Sequence, residues 1–370
     1  MPEPNLSLIF LFVLGLVVLS LGAEFFVRGA ARIAVFAGVS PLVIGLTVVA
    51  FGTSAPEVAV VLEAGFQGRG DLAFGNIVGS NISNFLLILG ISALAAPLVV
   101  SQRLIRIEVP LLLVVSVVVI FMGRDGQINR FEGILLLVLV LVYSITILLK
   151  TRGVNKLKAD QSGQATHQNG PNNPIRVTKR NELLKSGLML VLGLIGLIFG
   201  ASWLVNGASG IARLLGVSEL IIGLTVVAIG TSLPELATSV MASIRGERDI
   251  AIGNVIGSNL FNLTFVIGSG AVLLPYGLAV PAASLSFDLV VMIAITAACL
   301  PIFFAGYNIN RWEGLLFLTY YGAYVLYLFL FSTQHDLLPA FSTLMLWYII
   351  PATGLLLVFV MVRAIHLRSK

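Results

Sequence analysis

The chain has 370 residues, of which 58% are hydrophobic and 11% are charged, whereas soluble domains carry about 25% charged residues. This apolar content is enough for about ten membrane spans of ~20 residues each, and it excludes a soluble globular protein. The net charge of +5 comes from Lys and Arg in the short polar segments, so it reflects membrane topology and does not predict a nucleic-acid partner.

Hydropathy along the chain predicts eleven membrane spans with short polar connections. The long polar segment 151–183, between the fifth and sixth spans, is rich in Gly, Asn, Gln and Lys and has no apolar periodicity. We expect it to be a disordered loop. The predicted spans are 6–28, 41–66, 72–98, 104–123, 130–149, 184–212, 218–244, 250–275, 280–305, 311–331 and 340–363.

The distribution of Lys and Arg predicts the orientation of these spans. If the long loop is cytoplasmic, most of the basic residues fall on the cytoplasmic side, and four arginines fall outside: Arg69, Arg124, Arg130 and Arg213. The positive-inside rule therefore predicts an external N-terminus and a cytoplasmic loop and C-terminus. The sequence has no evident transit peptide, and we expect a multi-pass protein of a prokaryotic inner (cell) membrane.

The sequence contains an internal repeat. GLTVVAFGTSAPE begins at residue 45 and GLTVVAIGTSLPE at 223, while GNIVGSNISN begins at 75 and GNVIGSNLFN at 253, so the offset is 178 in both cases. Each half holds five spans, at 1–150 and 184–332, and an extra helix follows in 333–370. Because five is odd, the halves cross the membrane in opposite directions. Such inverted repeats are typical of secondary transporters, with the site between the halves at the midplane.

The repeated segments place polar side chains in the middle of spans. Thr53 and Ser54 precede Glu57 by four and three residues, so the three side chains share one helical face. Pro56 lacks an N–H and is expected to free carbonyls around Ala50 to Thr53. The third span adds polar residues at intervals of four, and the second half repeats the set: Asn76, Ser80 and Asn84, then Thr231, Ser232, Glu235, Asn254, Ser258 and Asn262.

This residue set predicts a cation site. Each carboxylate near the membrane centre is unfavourable by at least ~2.5 kcal/mol, and two close together repel. Glu57 and Glu235 would neutralise one divalent ion, while hydroxyls, amides and carbonyls would complete the six to eight oxygen ligands that calcium prefers. No His, Cys or Met accompanies them, which argues against zinc, copper or iron, and no cofactor is predicted.

Other polar residues in or near the spans are expected to be structural. Glu24, Glu63, Glu108 and Asp288 have no acidic counterpart at the same offset in the other half. The pairs Asn129–Glu132 in NRFEG and Asn310–Glu313 in NRWEG have the spacing of a capped helix start.

The motifs GTSAPE with GNIVGSNISN, and GTSLPE with GNVIGSNLFN, closely resemble the two alpha-repeats of the cation/calcium exchanger superfamily, and most closely its prokaryotic calcium/sodium antiporters. The resemblance covers the first ten spans and implies an all-α, ten-helix inverted-repeat fold, to which this chain is expected to add an eleventh helix. It also implies four ion subsites, whose ligands are the Glu57 and Glu235 carboxylates, the hydroxyls of Thr53, Ser54, Ser80, Thr231, Ser232 and Ser258, the Ala50 and Ala228 carbonyls, and the amides Asn84 and Asn262.

Some relatives carry Asp in place of Asn84 or Asn262. Both positions are Asn here, which argues against a potassium requirement and against an added proton-binding carboxylate. The predicted function is secondary antiport, not enzyme catalysis: calcium leaves against inward sodium by alternating access. The resemblance implies that spans one and six move against the rest during this cycle.

Calcium/proton exchange through the same two glutamates is the alternative. A cation channel would need a continuous pore, usually on an oligomer axis, and an organic-solute carrier would need basic or aromatic recognition groups, which the motifs lack. The predicted partners are calcium, sodium and the lipid bilayer, and no feature of the sequence identifies a protein partner.

Overall fold

The structure, a computed structural model, describes residues 6–161, 174–214 and 228–368. Within these ranges, ten helices are long and apolar enough to cross a membrane, and a shorter apolar helix, Leu233–Ile244, lies where the seventh span is predicted. The first ten residues of that predicted span, 218–227, lie outside the described residues. Each of the eleven predicted spans therefore corresponds to a described helix.

Five helices form the first half: α1 is Leu6–Ala37, α2 is Pro41–Phe66, α3 is Gly70–Ala95, α4 is Leu104–Asp125 and α5 is Arg130–Gln161. Helix α1 continues to Ala37, whereas the sequence predicts its end at residue 28. Hydropathy marks where the apolar stretch stops, but the helix ends only at Gly38, whose φ of +64° leaves the helical region.

The second half contributes six helices: α6 is Pro174–Leu214, α7 consists of Ala228–Gly230 and Leu233–Ile244, α8 is Arg248–Leu273, α9 is Ser284–Gly306, α10 is Arg311–Ser332 and α11 is Leu338–Arg363. Helices α5 and α6 correct the predicted disordered loop 151–183, because they occupy residues 151–161 and 174–183. These flanks contain good helix formers such as Lys, Leu and Arg, which extend a helix beyond its apolar stretch. Residues 162–173 lie outside the described part.

The pairing of four two-residue strands shows that the two halves are inverted relative to each other. Leu98–Val99 (β1), between α3 and α4, pairs with Asn308–Ile309 (β4), between α9 and α10. Gln127–Ile128 (β2), between α4 and α5, pairs with Leu278–Ala279 (β3), between α8 and α9. The α3–α4 connection therefore lies at the same end as the α9–α10 connection, whereas its repeat counterpart, α8–α9, lies at the opposite end. Five spans per half produce this pattern, so the inverted-repeat prediction is confirmed.

Helices α1 and α6 pack closely along their length. Their glycines recur every seven residues and at the repeat offset of 178, as Gly15, Gly22 and Gly29 in α1 and Gly193, Gly200 and Gly207 in α6. A Cβ on Gly22 would lie 2.7 Å from the Leu197 backbone N, and one on Gly207 would lie 2.6 Å from the Phe12 backbone N. Because any larger residue would clash, glycine is required for the helices to approach this closely.

Glycines also bring α8 against α2, where the repeated motifs lie. A Cβ on Gly253 would be 2.8 Å from the Leu42 carbonyl oxygen, and one on Gly257 would be 2.8 Å from the Ala50 Cβ. These glycines therefore allow α8 to approach α2 closely, which lets polar side chains from the two repeats meet.

The predicted helix caps are confirmed. The Asn129 N–H donates to Glu132 Oε2 at 2.9 Å, and the Glu132 N–H donates back to Asn129 Oδ1 at 3.1 Å. Asn310 and Glu313 form the same capping box at the start of α10, where the Asn310 N–H donates to Glu313 Oε2 at 2.6 Å. The Asn and Glu that recur in NRFEG and NRWEG therefore mark the start of a helix in each half.

Glu108 and Asp288 are repeat counterparts, contrary to the prediction that neither has one. The Tyr143 hydroxyl donates to Glu108 Oε2 at 2.7 Å, and the Tyr324 hydroxyl donates to Asp288 Oδ1 at 3.4 Å. The acids are 180 residues apart and the tyrosines 181, so the fixed offset of 178 concealed the match. Both acids tie consecutive helices together, α4 to α5 and α9 to α10, which is a structural role.

Candidate ion-binding site

The helix carrying the first motif is interrupted at Ser54. Ser54 has φ −82° and ψ 4° and separates Ala50–Thr53 from Ala55–Phe66 within α2. Pro56 comes two residues later and has no N–H to donate to the Gly52 carbonyl four residues earlier. In α7, Ser232 has φ −89° and ψ 6°, and Pro234 again comes two residues later. The same short sequence therefore interrupts a helix once in each half.

The two predicted backbone ligands are the carbonyls of Ala50 and Ala228. The Ala50 carbonyl accepts from the Ser54 N–H at 3.0 Å, so it is not left without a partner by the proline. Ala228 begins the first described piece of α7. Coordination by either carbonyl stays a prediction.

The two glutamates are buried and each is bonded to a serine. Glu57 is 1% exposed and Glu235 is 0% exposed. The Ser80 hydroxyl donates to Glu57 Oε1 at 3.5 Å, and the Ser54 hydroxyl of the first repeat donates to Glu235 Oε1 of the second at 3.3 Å. The acid of the second half is therefore bonded to a serine of the first half.

Each glutamate also has one oxygen without a hydrogen-bond partner. Oε2 of Glu57 and Oε2 of Glu235 are buried without a hydrogen-bond partner, and none of the ion pairs found within the described ranges includes either residue. A buried carboxylate without a counter-charge is unfavourable by several kcal/mol. A bound cation would remove this cost.

The remaining predicted hydroxyls bridge the repeats. Thr53 Oγ1 donates to Asn254 Oδ1 at 3.1 Å and lies 3.4 Å from Ser258 Oγ. The Ser232 hydroxyl donates to Ser80 Oγ at 3.3 Å. Thr231 Oγ1 likewise donates across the repeats, at 3.3 Å to Asn76 Oδ1. All six predicted hydroxyl residues thus belong to networks that join α2 and α3 to α7 and α8.

The predicted amides also bond across the repeats. Asn84 Nδ2 donates to Asn259 Oδ1 at 2.8 Å, and Asn262 Nδ2 donates to Asn81 Oδ1 at 3.2 Å. In both predicted ligands Oδ1 is buried and has no hydrogen-bond partner. The buried oxygens without partners therefore include one on each of Glu57, Glu235, Asn84 and Asn262.

One residue of this network escapes prediction from the sequence. Asn254 Nδ2 donates to the Ser239 hydroxyl at 2.9 Å. Ser239 aligns with Val61 in the first half, so a search for duplicated polar residues passes over it. The polar environment of the second repeat is therefore more extensive than that of the first.

The geometry suits a hard cation that exchanges its water shell for protein oxygens. No group of three or more His, Cys, Asp and Glu side chains is found in the part of the chain that the structure describes. Two carboxylates surrounded by neutral oxygens match the chemistry of calcium or sodium better than that of a transition metal.

Comparison with known proteins agrees with this chemistry. The sequence model of the sodium/calcium exchanger protein family matches residues 7–149 and 185–330. The putative antiporter CaxA of Alkalimonas amylolytica is 38% identical over 297 residues, which cover 78% of this chain and 88% of CaxA. The sodium/calcium exchanger MaX1 of Methanosarcina acetivorans is 34% identical over 360 residues, covering 86% and 97%.

The inner membrane protein YrbG of Escherichia coli K12 is a further relative, 38% identical over 295 residues, which cover 78% of this chain and 87% of YrbG. Among solved structures, the sodium-calcium exchanger NCX_Mj matches with a TM-score of 0.71 at 32% identity, covering 87% of this chain and 99% of NCX_Mj. The repeats, the inverted fold and these likenesses agree, and the chain belongs to the sodium/calcium exchanger family of membrane transporters.

Proposed function

We propose that this protein exchanges calcium for sodium by alternating access around the Glu57–Glu235 site. The observation that carries the proposal is the pair of buried carboxylates, each with one oxygen that has no hydrogen-bond partner. A divalent ion between them would be neutralised, and sodium would occupy overlapping oxygens in the next step of the cycle. The proposed ligands are those of the predicted set, which both repeats supply.

Sodium coupling rests on the neutral oxygens. A sodium ion needs several ligands beyond a carboxylate, and the Thr53, Ser54 and Ser232 hydroxyls are all buried and bonded across the repeats. A proton would need the acids alone. The named sodium/calcium exchangers among the similar proteins, MaX1 and NCX_Mj, support the same choice.

Calcium/proton exchange is the second candidate. The observation that favours it is that Glu57 and Glu235 have no basic neighbour among the described ion pairs, so protonation would also relieve their burial. Both candidates use the same acids and differ in whether the hydroxyls matter.

Uptake of calcium-45 into liposomes distinguishes the two. Vesicles loaded with sodium and diluted into sodium-free buffer should accumulate calcium, whereas vesicles with a pH gradient and no sodium should not. Full calcium accumulation under the pH gradient alone would show that protons, and not sodium, are the coupling ion. Absence of accumulation in both arms would contradict calcium antiport itself.

We further propose the orientation and organisation that the sequence predicts. Two five-helix halves, 1–150 and 184–332, flank a cytoplasmic connection at 151–183, with the N-terminus outside and the C-terminus inside a prokaryotic cell membrane. The proposal rests on the excess of Lys and Arg in the segments on that connection's side of the membrane.

A further inference from the structure

Four buried asparagines form two symmetric hydrogen bonds between the repeats. Asn84 of α3 donates to Asn259 of α8, and Asn262 of α8 donates to Asn81 of α3. The donors and the acceptors are each 178 residues apart, so the two bonds are equivalent under the repeat symmetry. All four side chains are at most 1% exposed.

The direction of these bonds decides which end of each donor amide is left free. An asparagine amide has a donor end, Nδ2, and an acceptor end, Oδ1, of nearly the same shape. In Asn84 and Asn262, Nδ2 is used by the bond to the other repeat, while Oδ1 is buried without a partner. Asn84 lies one helical turn from Ser80, which donates to Glu57.

We propose that Asn81 and Asn259 are positioning residues that hold the Asn262 and Asn84 amides with the carbonyl oxygen toward the transported cation. This inference rests on the proposed function. Without an acceptor at the other end, each amide could rotate by half a turn and present its N–H₂ group to the site. That orientation would repel a cation and remove an oxygen ligand.

The two positioning residues differ in their own freedom. Asn81 Nδ2 donates to the Met292 Sδ at 3.4 Å, whereas Asn259 Nδ2 has no partner among the described residues. Asn259 can therefore rotate and offer Nδ2 to a carboxylate at position 84 without losing a bond. Asn81 would lose its contact with Met292 if it did the same for a carboxylate at position 262. Asn84→Asp should accordingly be tolerated better than Asn262→Asp.

A double-mutant cycle tests the positioning role. Asn259→Leu keeps the side-chain shape and removes the acceptor, and we expect it to weaken calcium binding by about 3- to 10-fold, the range for a lost buried hydrogen bond. A carboxylate has two equivalent oxygens and needs no orientation. Asn259→Leu introduced together with Asn84→Asp should therefore weaken calcium binding by less than 2-fold relative to Asn84→Asp alone.

The measurement is calcium titration of the full-length purified protein by calorimetry, with Thr296→Val as a control for a polar-to-apolar change at a fully buried site on α9. An equal loss from Asn259→Leu in both backgrounds would indicate a packing role and overturn the proposal, as would no loss in either. If the wild-type protein binds no calcium, the proposed function fails with it. If wild type binds calcium and the cycle shows no coupling, the positioning role alone fails.

Discussion

Replacing Glu57 by Gln tests the ion site through two opposite effects. In the wild-type protein, Glu57 Oε1 accepts from Ser80 and Oε2 has no partner. Glutamine keeps an oxygen for Ser80 but removes the charge and one ligand oxygen. Removing one partner from a buried charge interaction costs about 3–5 kcal/mol, and we expect calcium affinity to fall by about 100-fold or more.

The ion-free protein should respond in the other direction. A neutral amide replaces a buried carboxylate that has no counter-charge, so the thermal midpoint without calcium should stay the same or rise. Glu63→Gln is the matched control, because Glu63 lies on the same helix but is exposed. The assay is the thermal midpoint measured over a calcium titration in detergent.

The expected result is that calcium raises the midpoint of wild type and of Glu63→Gln but has little effect on Glu57→Gln. Two results would contradict an ion-binding role for Glu57. One is wild-type calcium stabilisation in Glu57→Gln, and the other is a large drop in the midpoint of its ion-free form, since that would assign Glu57 a structural role.

Three further predictions concern coupling and orientation. Ser54→Ala combined with Ser232→Ala should weaken sodium-driven calcium uptake more than equilibrium calcium binding. Each lost ligand costs sodium binding about 1–3 kcal/mol, whereas calcium binding is dominated by the carboxylates. Equal losses in uptake and in binding would contradict this prediction. Asn84→Asp should leave calcium binding intact but change the sodium or pH dependence of uptake, and an unchanged dependence would remove this position from coupling. Cysteines introduced at 155–175 should react with impermeant thiol reagents from the cytoplasm alone, and one at Gln67 from outside alone; reversed labelling would invert the proposed orientation.

The fold and the polar residues of the ion site could be predicted because both follow from the internal repeat. A constant offset placed Glu57 opposite Glu235 and Ser54 opposite Ser232, and the odd number of spans per half required inversion. The bond from Ser54 to Glu235 joins the two copies of the motif, whereas the symmetry-related Ser232 donates to Ser80.

The same reliance on a constant offset explains what sequence reasoning missed. The Glu108–Asp288 correspondence appears only at 180 residues, because the connection after the second motif is two residues longer than the one after the first. Ser239 has an apolar counterpart, so duplication gives no signal for it. Helix ends such as Ala37 and Gln161 extend past the apolar stretch, which hydropathy alone does not detect.

The glycine spacing in α1 and α6 could have been read from the sequence. Gly15, Gly22 and Gly29 recur every seven residues and are repeated at the offset of 178. That spacing predicts a close helix contact, which the structure contains. It also joins the first and sixth helices into one tightly packed pair, as expected if they move together.

In the proposed cycle, one site around Glu57 and Glu235 binds calcium and sodium in turn. The most direct measurement is sodium-22 efflux from sodium-loaded proteoliposomes when calcium is added outside. Calcium should accelerate efflux in wild type, and the acceleration should be absent in Glu235→Gln. Two results would contradict a shared site for the two ions. One is sodium efflux in wild type that external calcium does not change, and the other is calcium-stimulated efflux in Glu235→Gln.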